Sequence, residues 1–375
     1  MELFDVYPLY NVTPIKAVGS TVFDENGTTY LDLYGGHAVI SIGHAHPHYI
    51  KRLTTQLSEI SFYSNAVQNP LQIELAHKLG ALSGCQDYNL FLCNSGAEAN
   101  ENALKMASFI TGKSHIVAFT NGFHGRTSAA VASTDNASIH APLNTQQKVT
   151  FIDFEALDTL TTTLEKGDIC AVIIEAIQGV GGLDEPSTAF YQKVAELCKK
   201  HQVVLIADEV QSGYGRSGEF FAFQHHNIQP DIITIAKGMG NGFPIGGVLL
   251  HDTIKAKHGM LGTTFGGNHL ACAAGLAVLE VIEKENLMEN AKQLEAYFRS
   301  RAATISQIKL AKGKGLMLGL AFDFEVGELR KKLIYEHHIF TGGAKDKHVL
   351  RILPALNITT TEIDQFFNAL TLALT

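Results

Sequence analysis

The chain has 375 residues and a formal net charge of −8, with 46% hydrophobic and 18% charged residues. Such a length predicts two domains or one large α/β domain with appendages, and the composition is that of an ordinary soluble globular protein. The acidic balance, with no basic cluster, excludes a general nucleic-acid binder, and no apolar run approaches the roughly 18 residues needed to span a bilayer.

The start, Met1-Glu2-Leu3-Phe4-Asp5, is acidic and lacks the basic opening of a secretory signal. Five widely spaced cysteines (Cys85, Cys93, Cys170, Cys198, Cys272) read as reduced thiols and not as a disulfide framework or a zinc site. A cytoplasmic enzyme without a metal centre is the expectation.

In chain order, Ile15 to Val18, Thr21 to Phe23 and Thr28 to Leu33 read as β-strands, the last two around an Asn26-Gly27 turn. Helices are expected over 47–60, opened by Pro47, and from Leu71 to Leu82 after Asn69-Pro70. A strand from Asn89 to Cys93 runs into Asn94-Ser95-Gly96-Ala97-Glu98-Ala99-Asn100 and a helix from Glu101 to Ile110. Small residues between a strand and a helix expose backbone N–H groups, the geometry of an anion site. Further strands are expected at His115 to Phe119, Lys148 to Asp153, Ile169 to Glu175, Val203 to Asp208 and Pro230 to Lys237. Helices at 155–164 and Thr188 to His201 alternate with them, as in a mostly parallel sheet with helices on both faces. Gly238 to Gly247 reads as loop and Gly262 to Asn268 as a polar turn. Helices His269 to Glu285 and Leu287 to Arg301 follow. A smaller α+β region closes the chain: strand Leu316 to Phe322, helix Gly327 to His338, strand Val349 to Leu353 and helix Thr360 to Leu374. The expected division is an N-terminal segment over 1–46, a large domain over 47–270 and a small domain over 271–375.

Two charges stand out, because both terminate runs of branched apolar residues. Asp208 follows Val203-Val204-Leu205-Ile206-Ala207, and Lys237 follows Ile232-Ile233-Thr234-Ile235-Ala236. Open α/β sheets bind ligands at the carboxyl ends of their strands, and a lysine there is costly unless it is paired or used covalently. Competing motifs fit less well. Gly213-Tyr214-Gly215-Arg216-Ser217-Gly218 has dinucleotide spacing, but five residues separate it from the strand end and no helix opens on it, which weakens an NAD-dependent oxidoreductase. Gly112-Lys113-Ser114 lacks the first glycine of a phosphate loop. His44, His46 and His48 have no acidic or thiol partner nearby in sequence and read as loop histidines.

Together, an acid and a lysine at strand ends, a Ser-Gly-Ala helix start, Phe123-His124-Gly125-Arg126-Thr127 and the Thr263-Thr264 turn supply what pyridoxal phosphate requires. The aldehyde needs a lysine, the ring nitrogen a carboxylate, the phosphate amides and hydroxyls, and the ring an aromatic face. With these blocks, and Asp208 to Gly218 and Gly262 to Asn268 in the same order, the chain resembles the class III (ornithine/acetylornithine-type) aminotransferases of fold type I. The resemblance runs from Asp24 to Leu356.

It implies that Lys237 bonds covalently to the cofactor aldehyde and that Asp208 pairs with the ring nitrogen. Val210 and Phe123 would cover the two ring faces and Gln211 would bond the ring hydroxyl. Ser95 and the backbone of Gly96 and Ala97 would hold the phosphate, joined by Thr264 of a partner subunit in a homodimer. Arg126, with Thr263 nearby, and Arg351 would bind substrate carboxylates. The implied reaction moves the δ-amino group of an N-acetyl- or N-succinylornithine to 2-oxoglutarate in arginine biosynthesis. Ornithine, 4-aminobutyrate or lysine-type donors are the alternatives within the class. A glutamate-semialdehyde aminomutase fits less well with two arginines, and a non-catalytic binder would have no need of Lys237. One departure concerns Glu175-Ala176-Ile177-Gln178-Gly179-Val180-Gly181-Gly182: Val180 stands where the family has a glutamate that pairs with the arginine at position 351. An open Arg351 follows, with discrimination moved to Arg126 and the N-terminal segment.

Overall fold

A computed structural model describes all residues, 1–375. The N-terminal strands β1 (Pro14–Val18), β2 (Thr21–Asp24) and β3 (Thr29–Asp32) form an antiparallel meander, with Gly27 at φ 82° supplying the left-handed turn position. The central sheet takes β4 (Tyr88–Cys93), β5 (His115–Phe119), β6 (Val149–Ile152), β7 (Ile169–Ile174), β8 (Val204–Asp208), β9 (Ile232–Ile235) and β10 (Gly246–His251). Their order across the sheet is β4-β10-β9-β8-β7-β5-β6. Neighbours from β9 to β6 are parallel, and β10 alone runs antiparallel to both its partners.

Alternation along these strands explains the layers. Val204 and Ile206 of β8 join a core that includes Ala99, Ala103 and Leu104 of the helix Gly96–Thr111. Leu205 and Ala207 point the other way, into the core that holds Phe190, Val194 and Leu197 of the helix Thr188–His201. Successive side chains of a strand alternate faces, so a run of apolar residues is what burial on both faces demands.

The C-terminal strands are β11 (Leu310–Lys314), β12 (Met317–Ala321), β13 (Ile339–Phe340), β14 (Gly342–Gly343) and β15 (Val349–Ile352). β11, β12, β15 and β14 make a separate four-stranded sheet, while β13 crosses to pair in parallel with β3. Residues from both ends of the chain thus share one sheet.

Several sequence expectations shift. The helix expected from Glu101 begins at Gly96, because Ser95 caps it: its Oγ accepts from the Glu98 N–H at 3.2 Å. The segment read as loop over Gly238 to Gly247 ends in the first residues of β10. A Cβ at Gly246 would lie 2.7 Å from the Ser95 carbonyl oxygen, so this strand opens with glycines to let another backbone approach. The helix from Gly327 stops at Tyr335, and His338, at φ 55°, redirects the chain into β13. His44, His46 and His48 each face a different carboxylate, Asp32 at 2.8 Å, Glu285 at 2.9 Å and Glu280. No helix is long and apolar enough to cross a membrane.

Candidate active site

The carboxyl ends of β4, β5, β7, β8 and β9 open onto one cavity of about 370 Å³. Ser95, Gly96, Ala97, Phe123, Arg126, Asp208, Val210, Gln211 and Lys237 all line it, so nine of the residues singled out from sequence converge. Glu175 and Asp208 are its only acidic lining residues.

Asp208 ends β8 and is buried. Its Oδ2 accepts from His124 Nδ1 at 2.7 Å and Asn100 Nδ2 at 2.8 Å, and its Oδ1 accepts from the Val210 N–H at 3.0 Å. Asn100 is itself oriented, since its Oδ1 accepts from Thr234 Oγ1 at 2.7 Å. Burial pushes the His124 pKa down, but the hydrogen bond and charge of Asp208, with the charge of Glu175, outweigh it and hold the imidazole above its ordinary value. Glu175, just past β7, accepts from the Phe123 and Gly179 N–H groups at 2.9 Å each. Burial raises its pKa even so.

Lys237 stands two residues beyond β9 and not at its end, in a single 3₁₀ turn with φ 44°. A left-handed residue other than glycine or asparagine is strained, and such strain collects at functional sites. No protein group hydrogen-bonds or pairs with Nζ. Burial draws the amine below the ordinary lysine pKa, against the pull of Asp208 and Glu175.

The helix Gly96–Thr111 aims its N-terminus at the same space, where its first N–H groups are free for an anion. A Cβ at Gly96 would lie 2.5 Å from Val210 Cγ1, so glycine is needed for that side chain to cover the cavity. At the mouth, Arg126 is exposed and makes no ion pair. Arg351, on β15, does not line the cavity. It lies behind Gln211, 3% exposed, with Nη1 on the Gly179 carbonyl at 2.8 Å. Thr263 and Thr264 do not reach the cavity of their own chain: Thr263 Oγ1 accepts from Asn94 Nδ2 at 3.3 Å and Thr264 is exposed. The residues that sequence reading left without a role are Asn100, His124 and Glu175.

The turn Gly213–Gly218 is buried and opens no helix. Arg216 inside it donates to the Leu316 carbonyl at 3.2 Å, which ties β8's loop to the C-terminal sheet. That placement removes the basis for nicotinamide binding.

Beside Asp208, Glu209 is buried and pushed up to about 7 by burial, against hydrogen bonds from Ala222 N–H, Ser212 Oγ and Phe223 N–H. A carboxyl raised in the folded state stabilises the fold fully below its unfolded value of 4.5 and loses that contribution as pH rises through about 7. Glu209→Gln will therefore flatten the fall in thermal midpoint between these pH values. An unchanged profile would show that Glu209 titrates normally.

Taken together, the geometry offers an unpartnered lysine amine, a buried carboxylate held by two side-chain donors, a helix N-terminus and an aromatic side chain around one cavity. Such a set fits pyridoxal phosphate. The chain belongs to the aminotransferase class-III family, whose model matches residues 7–374. It is 39% identical to the acetylornithine aminotransferase of Archaeoglobus fulgidus over 371 residues, 97% of this chain and 96% of that protein. With the acetylornithine aminotransferase of Bacillus subtilis it shares 37% identity over 379 residues, 100% of this chain and 97% of that one. Among solved structures, the ornithine aminotransferase of Toxoplasma gondii superposes with a TM-score of 0.90 at 29% identity, covering 98% of this chain and 91% of the other. The protein is a pyridoxal-phosphate-dependent aminotransferase.

Proposed function

We propose that this enzyme transfers the δ-amino group of an N-acylornithine, N-acetylornithine first, to 2-oxoglutarate, as a step of arginine biosynthesis. The acetylornithine aminotransferases among its relatives support that donor, and one observation carries it over free ornithine. Arg351 has no acidic partner, and the cavity's two carboxylates are already engaged, Asp208 by His124 and Asn100 and Glu175 by two backbone N–H groups. The α-ammonium of free ornithine would enter a region of arginines with no carboxylate to receive it. Acylation removes that charge and leaves a carboxylate that the arginines can bind.

Bound pyridoxal phosphate supplies an aldehyde that takes up the amino group and a ring that withdraws electrons from the substrate carbon. This chain's residues do the rest. Lys237 would hold the cofactor through Nζ, and its amine would move the proton at the substrate carbon, a task suited to an amine of lowered pKa. Asp208 pairs with the ring nitrogen, its charge steadied by His124 and Asn100. The first turn of Gly96–Thr111, with Ser95, Gly96 and Ala97, binds the phosphate. Val210 and Phe123 cover the ring and Gln211 bonds its hydroxyl. Arg126 at the mouth would take one carboxylate of 2-oxoglutarate and Arg351, once Gln211 yields its place, the other, since a planar guanidinium matches a carboxylate at both oxygens.

Initial rates of glutamate formation from N-acetylornithine, N-succinylornithine, ornithine and 4-aminobutyrate test the donor. The highest kcat/KM will fall to an acylated ornithine, and preference for free ornithine would overturn the reading. Restoring an acid by Val180→Glu will place a carboxylate next to Gly179, whose carbonyl Arg351 contacts. KM for 2-oxoglutarate should then rise roughly tenfold, the scale of one charge-assisted hydrogen bond. An unchanged KM and donor order would show that position 180 does not act on Arg351.

A homodimer completes the proposal. Phe62 (40% exposed) and Phe265 (61% exposed) pack 5.5 Å apart on the surface, beside exposed Ile60, Tyr63 and Val67. An apolar patch of this kind marks an interface, and it adjoins Thr264, which is free to reach a partner's phosphate site. Phe265→Asp is expected to shift the sedimentation coefficient to that of a monomer and to lower activity at least tenfold. A fully active dimer would contradict this. All five cysteines are buried and unpaired, in keeping with a cytoplasmic location.

A further inference from the structure

Behind the cavity, Arg351 is held by neutral groups alone. Nε donates to the Gly343 carbonyl at 2.5 Å and Nη1 to the Gly179 carbonyl at 2.8 Å, with Gln211 Oε1 at 3.5 Å. Nη2 donates to the Tyr34 hydroxyl at 3.2 Å, and the Tyr34 ring lies against the guanidinium, 5.7 Å from its centre. The same hydroxyl is 2.5 Å from His37 Nδ1. The partners present set the directions in this chain, because the Tyr34 hydroxyl proton has no acceptor other than Nδ1. A guanidinium can only donate, so the Tyr34 oxygen accepts from it; the hydroxyl's own hydrogen is then placed on Nδ1 of a neutral imidazole that carries its hydrogen on Nε2.

The backbone pays particular attention to this corner. Gly35, Gly36, His37 and Ala38 take φ values of 54°, 56°, 68° and 63°, a left-handed turn in which two of the four residues carry a Cβ. Strain of this sort persists only where the surroundings over-determine it. Gly342, opposite Arg351 in the sheet, has no room for a Cβ because the Tyr34 ring occupies that space. The Gln211 side chain also reaches over, Nε2 donating to the His37 carbonyl at 3.2 Å. Burial first, then the charges of Arg351, Lys237 and Arg330, hold the His37 pKa below its ordinary value, and no acidic group opposes them.

We propose that His37 is a positioning residue for the carboxylate site at Arg351: by accepting the Tyr34 hydrogen bond it turns the phenol oxygen toward the guanidinium. A neutral Tyr34–His37 pair thus does the work of the absent acidic partner. An acid would orient Arg351 but neutralise it, and an incoming carboxylate would have to displace it. The neutral pair orients the guanidinium and leaves its charge to the substrate. This inference rests on the reading of Arg351 as a carboxylate receiver and deepens it.

The test is the steady-state KM for 2-oxoglutarate and kcat of the holoenzyme in His37→Ala, His37→Asn, Tyr34→Phe and the His37→Ala/Tyr34→Phe double variant. His37→Ala and Tyr34→Phe should each raise KM about 3- to 10-fold with kcat within about twofold, the scale of one hydrogen bond. The double variant should do no more than the worse single, since the two act as one link. His37→Asn should recover most of the loss, because Oδ1 can accept near the place of Nδ1 and asparagine tolerates the left-handed turn. Unchanged KM in His37→Ala and Tyr34→Phe, additive effects in the double variant, or no rescue by asparagine would overturn the proposal. Tyr34→Phe touches no strained backbone, so it decides the matter if the His37 variants fail to fold. Arg351→Lys separates the two layers. If it leaves KM unchanged, the reading of Arg351 falls; if it raises KM while the Tyr34 and His37 variants do not, only the role of His37 falls.

Discussion

Replacing Lys237 with alanine will reduce turnover by about four orders of magnitude, the upper range for a positioned proton-transfer group, and will leave the fold intact. Three observations set that size. Nζ has no protein partner to inherit its role, burial lowers its pKa toward the working range, and the backbone holds the residue at φ 44°. Alanine removes the amine but not the left-handed turn, so thermal stability should fall only slightly. The loaded variant should also lose the absorption band near the visible edge that the lysine bond produces. Residual activity within tenfold of the native enzyme would show that another base does the chemistry, and Asp208 and Glu175, both engaged, offer no substitute.

Changing Asp208 to asparagine will cost about a thousandfold in kcat, the upper end of what removing one preorganised electrostatic partner costs. The amide keeps the shape of the carboxylate but not its charge. Whichever oxygen becomes an NH₂ then faces a donor: at Oδ2 it meets both His124 Nδ1 and Asn100 Nδ2, and at Oδ1 the Val210 N–H. In either arrangement at least one of these donors is left without an acceptor. His124 loses the carboxylate that raised its pKa, so the imidazole reverts toward neutrality. The diagnostic result is lost kcat with retained cofactor binding, because Lys237 and the helix N-terminus remain. A variant that binds no cofactor at all would place Asp208 in binding rather than in activation.

Much of this was legible from the residues. The unbroken apolar runs before Asp208 and Lys237 predicted β8 and β9, since burial on both faces demands such runs. The helix Thr188–His201 falls as expected, with Ser187 as its cap. Other features had no local signal. Asn100 and His124 meet Asp208 across 108 and 84 residues of chain, and nothing near either residue announces it. The start of β10 is masked by glycines that serve a close backbone approach. Thr264 lies outside the cavity of its own chain, and the Tyr34–His37–Arg351 contacts need two ends of the chain to share one fold. Sequence patterns reveal what a residue does to its own element more readily than what distant elements do to it.

One measurement bears most directly on the whole account: mix the cofactor-loaded enzyme with excess glutamate and no acceptor, and follow the visible-edge band. Loss of the band at one equivalent per chain, release of one equivalent of 2-oxoglutarate, and recovery of the band when a large excess of 2-oxoglutarate is added are the predicted results. A protein that shows no band after incubation with pyridoxal phosphate, or a band that glutamate leaves unchanged, would contradict the account.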